Sequence, residues 1–340
     1  MAGFLEFPSW IDPYVVSFLP IRWYAVMYIV AFGIAYLLSR YQVRHDKGIS
    51  YTTEQLDDVF FWAVIGLLIG ARIFSCLFYS DTVYYLTHPW MMFWPFENGK
   101  FVGLPGMSYH GGVVGAFVAG LIWSARKKKN ILEITDVICA GIPLGYTFGR
   151  IGNFINAELY GRVTTSSIGM IFPNATPFST TYSWVREVAD TVGISYAYGD
   201  YVNLPRFPTQ LFEAFGEGIL LFLIIWFIVR PLKYRKNLAH GTVFGAYLTG
   251  YGIIRFVIEY FRQPDANIGY VLQLGKVKSD NIALFSSVLD ISKGQVFCFL
   301  MILSGIALIC IANVNKKRKE DNDNRRKAEV SKSRASGKKA

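Results

Sequence analysis

Cysteine and histidine are scarce in this sequence of 340 residues, which contains four of each. The cysteines form no CxxC pair, so the sequence indicates neither a disulfide framework nor a thiolate metal site. The histidines are scattered and no HExxH motif occurs, so metal catalysis has no support. The sequence also lacks a GxSxG nucleophile elbow, a P-loop and internal repeats, which leaves the common soluble hydrolase and nucleotide-binding classes without a motif.

Charged residues are also few, at 17% of the chain, whereas apolar residues make up 53% and the mean hydropathy is +0.32. A helix that crosses a bilayer needs ~20 mostly apolar residues. Seven stretches approach or reach this length, at 23–41, 58–79, 110–125, 134–152, 211–229, 241–261 and 294–312. We therefore predict an all-α integral membrane protein with seven transmembrane helices. The first twenty residues show no basic segment before an apolar core, so we expect no removable signal peptide.

The basic residues predict the orientation of these helices. They concentrate near 40–57, in 126–130, in 230–240 and after residue 315, and they are sparse in the intervening loops. Because Lys and Arg in short loops mark the cytoplasmic side, we expect the N-terminus outside and the C-terminus in the cytoplasm. The intervening loop 153–210 is too long for a simple connector, so we expect a small head on the outer side.

The predicted domains are a transmembrane domain over 1–313 and a basic, disordered cytoplasmic tail over 314–340. Most of the net charge of +10 comes from residues 316–340, with eleven basic and four acidic residues. A basic segment beside a membrane helix attracts anionic lipid heads. Nucleic acid is not an expected partner, because the tail has no aromatic residue to stack on bases.

The most informative segment is 149–162, GRIGNFINAELYGR, directly after the apolar stretch 134–148. It contains Arg150, Asn153, Asn156 and Glu158 at the predicted outer end of a span. Charged residues at such a position usually face a cavity, a partner or a polar ligand. Because arginine can bind a phosphate bidentately, this combination of side chains favours a phosphate site.

The predicted topology brings other polar residues to the same depth, namely Tyr24, His110, Arg255 and Glu259. Each has a structural explanation as well. Tyr24 fits the interfacial aromatic belt, His110 a capping position, and Arg255 with Glu259 an ion pair along one helix. Asn153 and Asn156 also fit helix–helix hydrogen bonds, and Gly161 fits close packing.

The segment 149–161 resembles the signature of the bacterial prolipoprotein diacylglyceryl transferases. Further similar pieces occur in the expected order at 22–24, 106–112, 205–213, 251–265 and 291–295. The resemblance implies essential roles at Tyr24, His110, Arg150, Asn153, Glu158, Gly161, Arg255 and Glu259. Phe207 and Phe212 depart from the family pattern, in which histidine and tyrosine are common, and this puts a supporting role at both positions in doubt.

The resemblance implies seven transmembrane helices with a small periplasmic head, in the bacterial inner membrane. It also implies transfer of a diacylglyceryl group from phosphatidylglycerol to the lipobox cysteine of a preprolipoprotein, with release of glycerol phosphate and without a cofactor. Arg150, Arg255, Asn153, Asn156 and Gly161 are then expected to bind the lipid. His110, Glu158 and Glu259 remain alternatives for the base. A transporter or scramblase for an anionic lipid is the alternative function, which a midplane site within an inverted repeat would favour.

Overall fold

The computed structural model describes residues 3–16, 22–97, 99–103, 106–263, 270–274, 283–285 and 287–336. The chain forms two compact units, one of residues 1–38 with 138–340 and one of residues 39–137. Of the segments that resemble the family signature, Pro264 and Asp265 lie outside the described residues.

Helices dominate both units. In chain order they are α1 Trp23–His45, α2 Thr53–Phe78, α3 Thr82–Thr87, α4 Tyr109–Lys127, α5 Ile131–Cys139, α6 Ile142–Ile155, α7 Ser183–Val192, α8 Thr209–Arg235, α9 Thr242–Ile258 and α10 Lys293–Ser336. The strands are short: β1 Leu5–Glu6, β2 Phe96–Glu97, β3 Lys100–Phe101, β4 Met170–Ile171, β5 Phe178–Ser179, β6 Tyr201–Val202, β7 Tyr270–Leu272 and β8 Ile291–Ser292. β1 pairs with β4 in parallel, and β2–β3, β5–β6 and β7–β8 pair antiparallel.

The helices confirm a multi-pass helical membrane protein. Among the described residues, α1, α2, α8 and the part of α10 up to Lys327 are long and apolar enough to cross a bilayer. The pair α5–α6, bent by 50°, makes a fifth span if it counts as one. Helices α4 and α9 do not meet both conditions of length and hydropathy for a span. Glycines and polar ends lower the mean hydropathy of α4, and α9, with 17 residues, is too short. Seven spans therefore remain a prediction.

The C-terminal tail differs from the sequence-based expectation. Disorder was expected from residue 314, but α10 continues as a helix to Ser336. Lys, Arg, Glu and Ala are good helix formers, and Lys316 and Glu320, four residues apart, form an ion pair with 3.9 Å between their charged atoms. The boundary at 313 and the cytoplasmic side remain predictions.

The first unit contains the segment predicted as a head. α7 contributes Val185, Val188 and Ala189 to a buried cluster with Val202, Leu204 and Ala283. α7 ends at Gly193, whose φ of +81° is the left-handed conformation that commonly closes helices. This small core gives the segment its own packing, whereas its location outside the membrane remains a prediction.

Helix α8 contains two π-helical segments, Ala214–Leu220 and Ile225–Val229. Such segments are rare and often lie at functional sites. The first begins directly after Glu213. α8 packs closely on its neighbours at two glycines, because a Cβ on Gly218 would meet Thr147 of α6 and one on Gly216 would meet Ile254 of α9. These contacts place α6, α8 and α9 around one polar cluster.

Candidate phosphate site

The centre of the polar cluster is the carboxylate of Glu213, which is fully buried. Its Oε2 lies 2.8 Å from Nε of Arg150, and its Oε1 lies 2.6 Å from Nη1 of Arg255 and 3.2 Å from Nη1 of Arg262. One carboxylate on α8 thus holds guanidinium groups from α6, from α9 and from the segment after α9. Buried charges require such pairing, because an isolated ion is costly in a low-dielectric interior.

Arg255 also contacts two further carboxylates. Its Nη1 lies 3.5 Å from Oε1 of Glu217, and its Nη2 lies 3.1 Å from Oε2 of Glu259. Glu213 and Glu217 are four residues apart on α8, a spacing that directs both toward α9. The contact with Glu259 is the ion pair along one helix that the sequence offered as the structural explanation.

Glu259 follows α9 in the chain and lies beside the beginning of α10. The hydroxyl of Ser292 donates a hydrogen bond to its Oε1 at 3.0 Å. Gly294 leaves the space for this carboxyl group, because a Cβ there would collide with it. A carboxylate beside a helix N-terminus is stabilised by the exposed N–H groups of that helix. The start of α10 therefore fixes Glu259 against Arg255.

Two other residues of α6 orient the side chain of Arg150 through hydrogen bonds. Its Nε donates to the hydroxyl of Tyr146 at 2.6 Å, and its Nη1 donates to Oδ1 of Asn153 at 3.3 Å. The side chain of Arg150 is 17% exposed and that of Arg255 is 15% exposed. Both guanidinium groups are thus held from the buried side, and each keeps a small accessible surface.

Glu158 continues this network through the two asparagines of the motif. Nδ2 of Asn153 and Nδ2 of Asn156 both donate to its Oε1, at 2.9 Å and 3.3 Å. Both asparagines are buried, and Glu158 is partly exposed. The asparagines therefore fix a carboxylate rather than joining two helices.

The backbone on both sides of Glu158 is strained. Ala157 and Leu159 have φ values of 52° and 57°, a region that costs an L-residue roughly 1–2 kcal/mol. The side chains of Gln210 and Thr209 donate to the carbonyl oxygens of Glu158 and Leu159, at 2.6 Å and 3.2 Å. The beginning of α8 thus holds this turn, and strain of this kind is concentrated at functional sites.

Gly161 lies in a crowded backbone contact. It forms an isolated bridge with Arg262, and a Cβ there would meet the carbonyl oxygen of Phe261 and the side chains of Thr209 and Phe207. The geometry explains why a glycine is needed here. Its predicted role in lipid binding remains untested.

Phe207 and Phe212 form an aromatic cluster with Phe261. Both pack edge-to-face on Phe261, with ring centroids 5.2 Å and 5.8 Å away. In the family that the sequence resembles, histidine and tyrosine are common at these two positions, whereas this chain has apolar side chains. The side chain of Phe207 packs beside Gly161, and its backbone holds the same turn, since its carbonyl accepts from the N–H of Gly161 at 2.8 Å and its N–H donates to the carbonyl of Arg162 at 3.0 Å.

Arg206 precedes this cluster and is buried in the segment predicted as the head. It donates to Oε1 of Gln263 at 2.6 Å and to the carbonyl of Thr176 at 3.2 Å, and it lies over the ring of Tyr160. Burial lowers the pKa of Arg206 from its ordinary value, and the interaction with Tyr160 opposes this change. Its contacts indicate a structural role.

Tyr24 belongs to the same unit as this network. Gly152 of α6 packs against the backbone of α1 at Tyr24, and the Tyr24 hydroxyl is hydrogen-bonded to that of Tyr28 at 2.8 Å.

His110 belongs to the other unit. It is exposed in the first turn of α4, where Oγ of Ser108 accepts a hydrogen bond from the N–H of Gly111. Most of the predicted site residues therefore lie in one network within the first unit, whereas His110 lies in the unit of residues 39–137. The residues of the network are Arg150, Asn153, Asn156, Glu158, Arg255 and Glu259.

Sequence reasoning missed four residues of this network as site residues: Tyr146, Glu213, Glu217 and Arg262. Glu213 ends the segment 205–213 that resembles the family, but no role was predicted for it. An ionisable residue in an apolar span is a functional-site signal, and this signal applies to Glu217. The spacing of four between Tyr146 and Arg150 was a further signal. Among the described residues, no group of three or more His, Cys, Asp or Glu side chains is placed to hold a metal ion.

The fold and this network define a multi-pass membrane protein with a buried arginine–carboxylate cluster. Residues 13–311 match the family described as prolipoprotein diacylglyceryl transferase. The chain is 46% identical to the phosphatidylglycerol–prolipoprotein diacylglyceryl transferase of Treponema denticola, over 92% of this chain and 96% of the relative. It is 46% identical to that of Treponema pallidum, over 96% and 99%, and 41% identical to that of Chlorobaculum tepidum, over 93% and 94%. The chain belongs to the prolipoprotein diacylglyceryl transferase family.

Proposed function

We propose that this protein transfers the diacylglyceryl group of phosphatidylglycerol to the lipobox cysteine of preprolipoproteins, the first step of bacterial lipoprotein maturation. The observation that carries this proposal is the bridge from Arg150 through Glu213 to Arg255. It holds the guanidinium group of Arg150, from the segment that resembles the family signature, and that of Arg255 on one carboxylate. Paired arginines are suited to a phosphate, because each presents several N–H donors in a fixed plane.

The reaction needs stabilisation of a leaving phosphate. The thiolate sulfur attacks the glyceryl carbon that carries the phosphate ester, so a carbon–sulfur bond forms and the carbon–oxygen bond breaks. The electron pair leaves with the oxygen of glycerol phosphate, where negative charge develops. The accessible parts of Arg150 and Arg255 stabilise this charge, and Glu213 keeps both side chains in place before the lipid arrives. Asn153, Asn156 and Gly161 shape the headgroup site beside them.

The thiol must lose its proton, because the thiolate is the nucleophile. His110 is our first candidate for the base, since histidine side chains change charge near neutral pH. Glu158 is the alternative. It is partly exposed, and its Oε1 is occupied by the two asparagines. Glu259 is the weaker alternative, because Arg255 and Ser292 already occupy its oxygens. The resemblance also implies an essential role for Tyr24, which lies on α1 where Gly152 of α6 packs.

We further propose seven spans in the bacterial inner membrane, with the site toward the outer leaflet. Counting α4 and α9 as spans gives seven when α5–α6 is one span. The basic residues after α4 and in the last turn of α8 support cytoplasmic ends for these helices. The lipid and the signal-bearing preprotein are both membrane-bound, so they reach the site from the bilayer.

The test incubates purified protein with phosphatidylglycerol and a lipobox peptide. We expect a peptide whose mass rises by one diacylglyceryl group, together with an equal amount of glycerol phosphate. A peptide with serine in place of the lipobox cysteine is the matched control and should stay unmodified. If lipid moves between leaflets while no thioether forms, the protein is a transporter and the proposal is wrong.

A further inference from the structure

A second candidate site lies within the unit of residues 39–137. It is an apolar groove of about 780 Å³ between α2 and α4. The two helices approach closely at its floor, because Cβ atoms on Gly66 or Gly70 would collide with the backbone of α4 at Gly115 and Gly111. Aliphatic side chains form its walls: Ile65, Ile69, Ile73, Val114, Val118 and Ile122. Several are about half exposed, such as Val118 at 45% and Ile122 at 50%, so the groove is open along its side.

The groove has the dimensions of a lipid chain. It extends from Asp58 to Phe74 on α2 and from Gly111 to Lys127 on α4. At 1.5 Å per residue each of these segments is roughly 24 Å long. One leaflet of a bilayer contributes about half of the ~30 Å hydrocarbon core. The groove is therefore long enough for one acyl chain of one leaflet.

The charged lining residues lie at one end of the groove. There, Nε1 of Trp123 donates to Oδ2 of Asp58 at 2.8 Å, and Nζ of Lys127 lies 3.8 Å from the same oxygen. Arg126 lines the same end, is exposed and forms no ion pair within the described part of the chain. The opposite end, at Phe74 and Gly111, is apolar.

We propose that this groove binds one acyl chain of an anionic phospholipid whose phosphate lies on Arg126. The charge supports this occupant, because Asp58 offsets Lys127 and leaves the guanidinium of Arg126 for an anion. Basic residues continue at Lys128 and Lys129, so the local field at this end is positive. Trp62 and Trp123 at the same end suit the boundary between headgroups and hydrocarbon. The occupant is a lipid held for structure and not the lipid that reacts.

The test measures retained lipid by native mass spectrometry of the purified chain, titrated with phosphatidylserine and, separately, with phosphatidylcholine. The variant Arg126→Gln should weaken phosphatidylserine binding about fivefold, the effect of one basic residue near an anionic headgroup, and should weaken phosphatidylcholine binding less, because the choline cation offsets its phosphate. Lys128→Gln is the matched control. It removes the same charge two residues further along the chain, but Lys128 does not line the groove, so a clearly smaller loss of affinity than in Arg126→Gln is expected.

A second pair of variants tests the apolar part. Val118→Trp fills the groove and should reduce binding of both lipids by at least the same factor. Val113→Trp places the same ring on α4 at an equally exposed valine outside the groove, and it should bind like wild type. Equal effects of Arg126→Gln and Lys128→Gln would overturn the headgroup assignment. Equal effects of Val118→Trp and Val113→Trp would overturn the groove. No peptide is present, so these results do not depend on whether the transfer reaction occurs.

Discussion

Glu213 is the residue whose replacement tests the site most directly. We expect Glu213→Gln to be both unstable and inactive, because three guanidinium groups converge on this one fully buried carboxylate. Without it, Arg255 keeps Glu217 and Glu259, but Arg150 keeps only neutral partners. No other carboxylate lies within 4 Å of Arg150 among the described residues.

The magnitude follows from the burial of these groups. Breaking a buried ion pair by removing one partner costs about 3–5 kcal/mol, because the other charge stays buried without compensation. Glutamine keeps the shape and one oxygen, but it turns an amide toward an arginine and removes the charge. At the ~2–4 °C per kcal/mol of larger domains, the unfolding midpoint should fall by roughly 6–20 °C. Turnover should fall at least about 100-fold, since a small displacement of Arg150 or Arg255 already costs that much.

The assays are thermal unfolding of the purified protein in detergent and release of glycerol phosphate. Glu187→Gln is the control, since it makes the same chemical change at an exposed position of α7. The double variant Arg150→Gln/Glu213→Gln adds a stricter test, because its stability loss should be smaller than the sum of the single losses by about 0.5–3 kcal/mol. Wild-type stability and turnover in Glu213→Gln, or additive losses in the double variant, would refute the reasoning.

Three further predictions concern the rest of the chain. Arg150→Lys and Arg255→Lys should each impair turnover, because one ammonium group cannot replace an arginine that contacts two partners with different nitrogens. Wild-type release of glycerol phosphate in either variant would show that this arginine does not bind the phosphate. Deletion of residues 320–340 should leave specific activity nearly unchanged, since Lys316 still contacts Asn237; a large loss in well-folded protein would contradict the predicted sidedness. His110→Gln should lower turnover more than it lowers phosphatidylglycerol affinity. The residual activity of this variant should rise as the pH approaches the ~8.5 pKa of a free thiol. Lost affinity with an unshifted pH profile would exclude His110 as the base.

The sequence predicted a large part of the site because charge is rare in this chain. Arg150, Asn153, Glu158, Arg255 and Glu259 stand out in apolar surroundings, and the topology argument assigned them one depth. In the structure, all of them belong to one network in the first unit. The residue types and the alternation of basic loops that predict this are both visible in the sequence.

The sequence could not rank the carboxylates within the network. Glu213, Glu217 and Glu259 are equally unusual in an apolar span. Only distances show that Glu213 bridges three arginines, whereas Glu217 pairs with one, Arg255, among the described residues. The turn at Glu158 was equally hidden. Alanine and leucine rarely adopt positive φ, so nothing in the identities of Ala157 and Leu159 predicts their conformation. It is imposed by contacts from α8, more than 45 residues away in the chain.

The connections between these residues decide how mutations of the site should be interpreted. From Glu158 the contacts run through Asn153 to Arg150, then through Glu213 to Arg255 and Glu259, and each step is 3.3 Å or shorter. Removing any member leaves its neighbours with an unmatched charge or hydrogen bond, so each single variant includes a loss that belongs to the neighbours. Single substitutions will therefore overstate the part of each residue in catalysis. Paired variants, such as the one at Arg150 and Glu213, separate contact with the lipid from support of another side chain.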